Sequence, residues 1–150
     1  MKTQYLAAPL MMFLIAAPLV SWAGDTPGKA RFQNNTSKTI IVNILHSNGD
    51  QQKKSTIPST KKNTFKFKSG EKCRNKNRLF EIRAAENNAL LAKGSLTYNS
   101  DIEYFARSES CVLYMQPPII EVVDSRFSLD YEKLKKNLGE FSLNLKRPSR

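Results

Sequence analysis

The sequence predicts a mainly β protein: an antiparallel two-sheet β-sandwich, Ig-like or jelly-roll-like, with one short C-terminal helix and one disulfide. Three observations carry this expectation. Short apolar runs rich in β-branched and aromatic residues recur along the chain, and clusters of Asn, Ser, Gly, Asp and Pro separate them. The cysteines number two, Cys73 and Cys111, so one pairing exists. A partly open barrel is the alternative way to close such a set of strands.

The first residues stand apart. Lys2 precedes an apolar run from Leu6 to Val20, which ends at Ser21-Trp22-Ala23, with small residues at the two positions a signal peptidase reads. The run is short for a membrane span and is broken by Pro9 and Pro18. We therefore expect a signal peptide over 1–23, and a single exported domain over 24–150 with no transmembrane segment left after cleavage. No cysteine lies near the site, which argues against a lipoprotein. The expected compartment is periplasmic or extracellular, where Cys73 and Cys111 should be oxidised to a disulfide.

Each element follows in order. Gly24 to Lys29 reads as a lead-in, Ala30 to Gln33 as a first short strand and Asn34-Asn35-Thr36-Ser37 as a turn. Lys38 to Leu45 is the densest β-forming run of the expected domain, with apolar residues on both faces, and is expected to be the central strand. Asn48-Gly49 suits a type I′ hairpin, returning the chain as a polar strand from Gln51 to Ile57. In Thr64 to Lys68 the alternation puts Phe65 and Phe67 on the core face, with Lys66 and Lys68 opposite. A charged loop over Glu71 to Asn77 leads to a strand from Arg78 to Ala84.

Glu86-Asn87-Asn88 is read as a hairpin turn into Ala89 to Tyr98, with Gly94 a candidate bulge. Asn99-Ser100-Asp101 is read as another turn, before strands at Ile102 to Arg107 and Cys111 to Gln116. Pro117-Pro118 ends the second of these, and Ile119 to Val123 begins at an edge or crosses between sheets. Phe127, Tyr131, Leu134 and Leu138 recur at helical spacing, with Ser128 or Asp130 as cap and Gly139 as stop, so a short helix is expected there. Phe141, Leu143 and Leu145 alternate as a last strand before a basic tail.

Catalytic and metal chemistry find little support in these residues. His46 is the lone histidine, and its neighbours Ser47 and Asp50 share one tight turn, where a nucleophile relay cannot be aligned. One histidine, with both cysteines spent on each other, makes no zinc site. Asp101, Glu103, Glu109, Glu121 and Asp124 fall in one third of the chain, and a carboxylate-only hydrolase needs two such groups. Solvated charges on strands and turns, which keep edges from pairing, are the stronger reading of them. No glycine-rich phosphate loop or dinucleotide fingerprint is present, and no cofactor is expected.

Charge is the strongest departure from an ordinary composition. The net charge is +11; Lys29 to Arg78 holds thirteen Lys/Arg against Asp50 and Glu71, whereas Leu79 to Glu132 is net acidic. Lys53, Lys54, Lys61, Lys62, Lys66, Lys68, Lys72, Arg74, Lys76 and Arg78 lie on consecutive elements and would form one positive face if those elements are neighbours. The competing reading is that exposed lysines confer solubility.

The expected function is a non-enzymatic exported binding module whose basic face engages an anionic cell-envelope component, including the membrane surface, or an acidic protein. Nucleic acid is disfavoured, because export separates the chain from it and no aromatic platform is interleaved with the basic residues. The alternative is an exported inhibitor or immunity-type protein that blocks one enzyme through loops or a sheet edge. A carboxylate-dependent polysaccharide hydrolase ranks last.

Overall fold

The computed structural model describes residues 21–68, 73–105, 108–134 and 139–148. Most of the expected signal peptide, up to residue 20, lies outside these. Among the described residues eleven strands run as β1 (Ser21–Thr26), β2 (Gly28–Asn35), β3 (Ile40–His46), β4 (Gln51–Ile57), β5 (Lys62–Phe67), β6 (Lys76–Ala84), β7 (Leu90–Phe105), β8 (Ser108–Met115), β9 (Ile119–Val122), β10 (Ser128–Lys133) and β11 (Glu140–Lys146). One sheet has the order β1-β8-β7-β6-β3-β4, with β9 also on β7, and the other has the order β10-β11-β2-β5. Pairing is antiparallel except for β1 with β8 and β11 with β2, which are parallel.

The two sheets share one core. Ile40, Val42 and Ile44 of β3, Phe80 and Ile82 of β6, and Leu96 and Tyr98 of β7 face Phe32 of β2, Phe65 and Phe67 of β5, and Phe141, Leu143 and Leu145 of β11. Aromatic rings bridge the layers: Phe32 meets Phe80 edge-on at 5.5 Å, and Tyr98 stacks on Phe141 at 6.0 Å. The expected alternation of Phe65 and Phe67 holds, and the disulfide joins Cys73 to Cys111 with Cα atoms 5.5 Å apart. The β3 strand is interior but not central, having only β4 between it and the edge.

Several expectations are corrected. The C-terminal helix is absent among the described residues: Ser128–Lys133 is a strand paired to β11, in register Leu129 to Leu145 and Tyr131 to Leu143. The period-two pattern of Leu129 and Tyr131 meets a free edge of β11, and that ladder outweighs a helical spacing carried by few residues. Leu138, the last residue of the expected stripe, lies outside the described residues. Asn99-Ser100-Asp101 is no turn but the middle of β7. There β7 outruns β6, whose last pair is Lys76 with Tyr98, and the Ser100 amide instead donates to Asn75 Oδ1 at 2.7 Å.

Gly94 sits in unbroken register; it marks a close approach, because a Cβ there would collide with the Ile119 carbonyl oxygen of β9. The hairpin after β3 is not type I′, since Gly49 is at φ 94° while Asn48 is not at positive φ. The amide of Gly49 donates to the His46 carbonyl at 2.8 Å, giving a three-residue loop that ends in a left-handed glycine. The Pro117-Pro118 pair does not carry the chain between sheets: β8 and β9 both lie on β7.

Asn34, expected to be a plain turn residue, is fully buried and holds the crossover from β4 to β5. Its side-chain amide donates to the carbonyls of Lys38 at 2.8 Å and Ile57 at 3.0 Å, and its oxygen accepts from the Thr36 amide at 3.0 Å and hydroxyl at 2.6 Å. The main chain of Asn34 also bonds Thr60 and Lys61 of the crossover. One side chain thus ties the end of β2 to the start of β3 and the end of β4.

Candidate functional site

The two sheets part at one corner, where edge strand β4 of the first faces edge strand β5 of the second. Core-facing positions of the larger sheet change character towards this corner. On β6 the inward series runs Ile82, Phe80, Arg78, Lys76, and on β4 it runs Ile57, Ser55, Lys53, opposite Ile40, Val42 and Ile44 of β3. Apolar side chains therefore give way to cations on the same face of the same strands.

A groove of about 270 Å³ results, lined by Gln52, Lys53, Lys66, Phe67, Lys68, Lys76 and Arg78. Five of these seven are cationic and none is acidic. None of the five belongs to an ion pair among the described residues, where the pairs are Lys38–Glu86, Arg83–Glu81, Lys93–Glu121, Arg126–Asp124 and Lys146–Asp130.

Two cations are positioned by their neighbours. The Lys53 ammonium donates to the Lys66 main-chain carbonyl at 2.5 Å and lies 5.6 Å from the Phe67 ring centre, so it straps β4 to β5. A second strap is Asn63 Nδ2 donating to Ser55 Oγ at 2.5 Å. Arg78 donates from Nε to Gln52 Oε1 at 2.5 Å and from Nη1 to the Asn77 carbonyl at 2.8 Å, which fixes the guanidinium plane and leaves Nη2 without a bonded partner among the described residues. Beyond Arg74, the loop carrying Cys73 and Asn75 is anchored by the disulfide and by Ser100, whose hydroxyl donates to the Cys73 carbonyl at 2.9 Å. Lys68 and Lys76 flank that loop.

The ten expected binding residues divide. Lys53, Lys66, Lys68, Lys76 and Arg78 come together. Lys54 pairs with Asn43, in the opposite phase to the inward-facing Lys53 and Ser55 of its strand. Lys61 and Lys62 sit at the crossover, roughly 20 Å along β5 from Lys68 at a strand's rise per residue. Arg74 is exposed outside the groove, and Lys72 lies outside the described residues. Gln52, which orients Arg78, was not among the sequence candidates; a bulge between Ile44 and Leu45 inserts it.

Several of the acidic residues are engaged by other groups. Glu121 pairs with Lys93, Glu103 accepts from the Tyr114 hydroxyl, and Asp124 is held by Arg126 Nη2 at 2.7 Å and Nε at 3.0 Å. Those Arg126 hydrogen bonds lower the Asp124 carboxyl to about 2, the reverse of the shift a general acid needs. Its stabilising contribution is therefore complete above the ordinary aspartate range and lost as pH falls through about 2. We predict that the Asp124 carboxyl carbon titrates near 2 by NMR, and that Arg126→Ala returns it to roughly 4. An unmoved midpoint in that variant contradicts the assignment. Burial raises the Tyr98 hydroxyl far above its usual range, so it stays neutral in the core. No group of three or more His, Cys, Asp or Glu among the described residues could hold a metal ion.

Comparison with protein-family models and with curated proteins finds no match to this chain.

Proposed function

We propose that this chain is an exported, non-enzymatic β-sandwich module that binds an anionic component of the cell envelope, through the groove between β4, β5 and β6. The observation that carries this reading is the inward placement of Lys53, Lys76 and Arg78. Lysines kept for solubility belong on solvent-facing positions. Cations on core-facing positions lose hydration, and a sequence that keeps three of them around one groove is expected to gain from an anion that joins them. Lys66 and Lys68 extend the same field to the rim.

Export enters the reading through residues 1–23 and the Cys73–Cys111 bond, which suits an oxidising compartment. Cleavage after Ala23 would leave Gly24, Asp25 and Thr26 of β1 on β8. No helix among the described residues is long and apolar enough to cross a membrane.

The test is sedimentation of the 24–150 chain with phosphatidylglycerol vesicles. We expect binding at low salt that weakens steeply as the Debye length falls from about 30 Å towards 8 Å. Charge reversal at Lys66 and Lys68 should weaken it roughly a hundredfold or more, on about 1 kcal/mol per charge near an anionic surface. The same reversal at Lys61 and Lys62, outside the groove, should cost less. Equal losses for both pairs would reduce the groove to general surface charge, and no binding at any salt would remove the reading.

One observation favours the inhibitor-type alternative. Among the described residues strand β9 pairs only with β7, and Ile119 is 72% exposed on it beside Val122 and Val123. A protein partner on that edge would give a stoichiometric complex that survives moderate salt.

A further inference from the structure

We propose that the groove selects phosphomonoesters over phosphodiesters and carboxylates, an inference that rests on the anion-binding reading and narrows it. The groove has five cationic residues about a space of about 270 Å³, smaller than a drug-sized ligand site. Mutual repulsion there is relieved best by the anion with the most charge in the least volume. A phosphomonoester carries close to two charges and three terminal oxygens; a phosphodiester or carboxylate carries one charge and two oxygens.

The donors match that oxygen count. Lys53 is engaged by the Lys66 carbonyl and the Phe67 ring, which makes it a positioning residue. Lys76 and Arg78 remain on adjacent inward positions of β6, with Lys68 at the rim. Gln52 and the Asn77 carbonyl hold the Arg78 guanidinium by two of its nitrogens, so the plane is fixed before any ligand arrives. A preset guanidinium beside two ammonium groups offers a fork to two oxygens and point charges to the third. The phosphate can be the headgroup of a lipid or belong to a soluble ester, and these sources are separable.

The test compares vesicles of phosphatidic acid, a phosphomonoester, with vesicles of phosphatidylglycerol, a diester, matched in surface potential, with inorganic pyrophosphate as soluble competitor. We expect phosphatidic acid to bind about fivefold tighter or more, one extra charge being worth that order. Pyrophosphate should displace the protein from both. Arg78→Lys and Lys76→Gln should each remove most of the preference, while Lys54→Gln, on the same strand as Lys53 but in the opposite phase, should retain it.

Displacement by pyrophosphate without a preference between vesicles would overturn the selectivity and leave a groove that takes phosphate of either kind. Equal binding to both vesicles, with no pyrophosphate effect, would overturn the selectivity and leave the charged-groove reading standing. A preference that survives both Arg78→Lys and Lys76→Gln would also overturn it, by placing selection elsewhere. Absence of binding to either vesicle would remove both.

Discussion

Replacing both Cys73 and Cys111 with alanine is expected to lower the stability of the domain by about 4 kcal/mol, measured as the shift in urea unfolding of oxidised chain and variant. The bond closes a span of 38 positions, and chain-entropy reasoning gives that magnitude for the freedom it removes from the unfolded state. Cys111 is fully buried on β8, whereas Cys73 sits in the loop before β6 at φ 42°, a left-handed conformation that the surroundings must hold. Without the bond, the described part of that loop keeps the Ser100 contacts to Cys73 and Asn75. The variant should therefore lose stability and also loosen the stretch from Cys73 to Asn75. A loss below about 1 kcal/mol would show that the unfolded chain gains little freedom when the bond is absent.

Asn34→Ala is expected to cost roughly 2–4 kcal/mol, because it leaves about two buried polar groups without partners. The Ile57 carbonyl loses a donor and the Thr36 amide loses its acceptor; the Lys38 carbonyl can still accept from the Thr36 hydroxyl, already at 3.0 Å. Asn34→Asp separates shape from bonding. It preserves volume and the acceptor for Thr36, but it turns a donor to two carbonyls into a carboxylate facing them. It should destabilise at least as much as alanine at neutral pH and recover in part when the carboxyl is protonated in acid. A mild effect of both substitutions would mean that the crossover is held by its main-chain bonds to Thr60 and Lys61.

Most strands were legible because burial on one face leaves a period of two. Gln51 to Ile57 was predicted with the bounds observed, and Phe65, Phe67, Phe141, Leu143 and Leu145 all point into the core as their alternation required. Errors arose where a local signal competed with a partner distant in sequence. Asn-Ser-Asp is good turn chemistry, but at residues 99–101 the strand runs on beside β8 and a side chain from the loop before β6 satisfies it. The helical spacing from Phe127 lost to the open edge of β11, and β11 itself is fixed by parallel pairing with β2, more than a hundred residues away.

For the candidate site, the cluster of cations was visible in the sequence but its geometry was not. The expectation of one sheet face failed because β4 and β5 are edges of different sheets and β3 separates β4 from β6. What brings the charges together is their phase. Lys76 and Arg78 fall in step with Phe80 and Ile82, and Lys53 in step with Ile57; that parity was available, and it distinguishes them from Lys54. Gln52 could not have been chosen, since its place depends on a bulge set by pairing with β3.

The most direct test of the groove is amide chemical-shift mapping of the 24–150 chain during titration with inorganic pyrophosphate. Anion binding in the groove should give saturable shifts confined to Gln52 and Lys53, to Lys66, Phe67 and Lys68, and to Lys76, Asn77 and Arg78, with Lys54, Lys61 and β9 unmoved. Shifts spread over every exposed lysine, or centred on Ile119 to Val123, would contradict it.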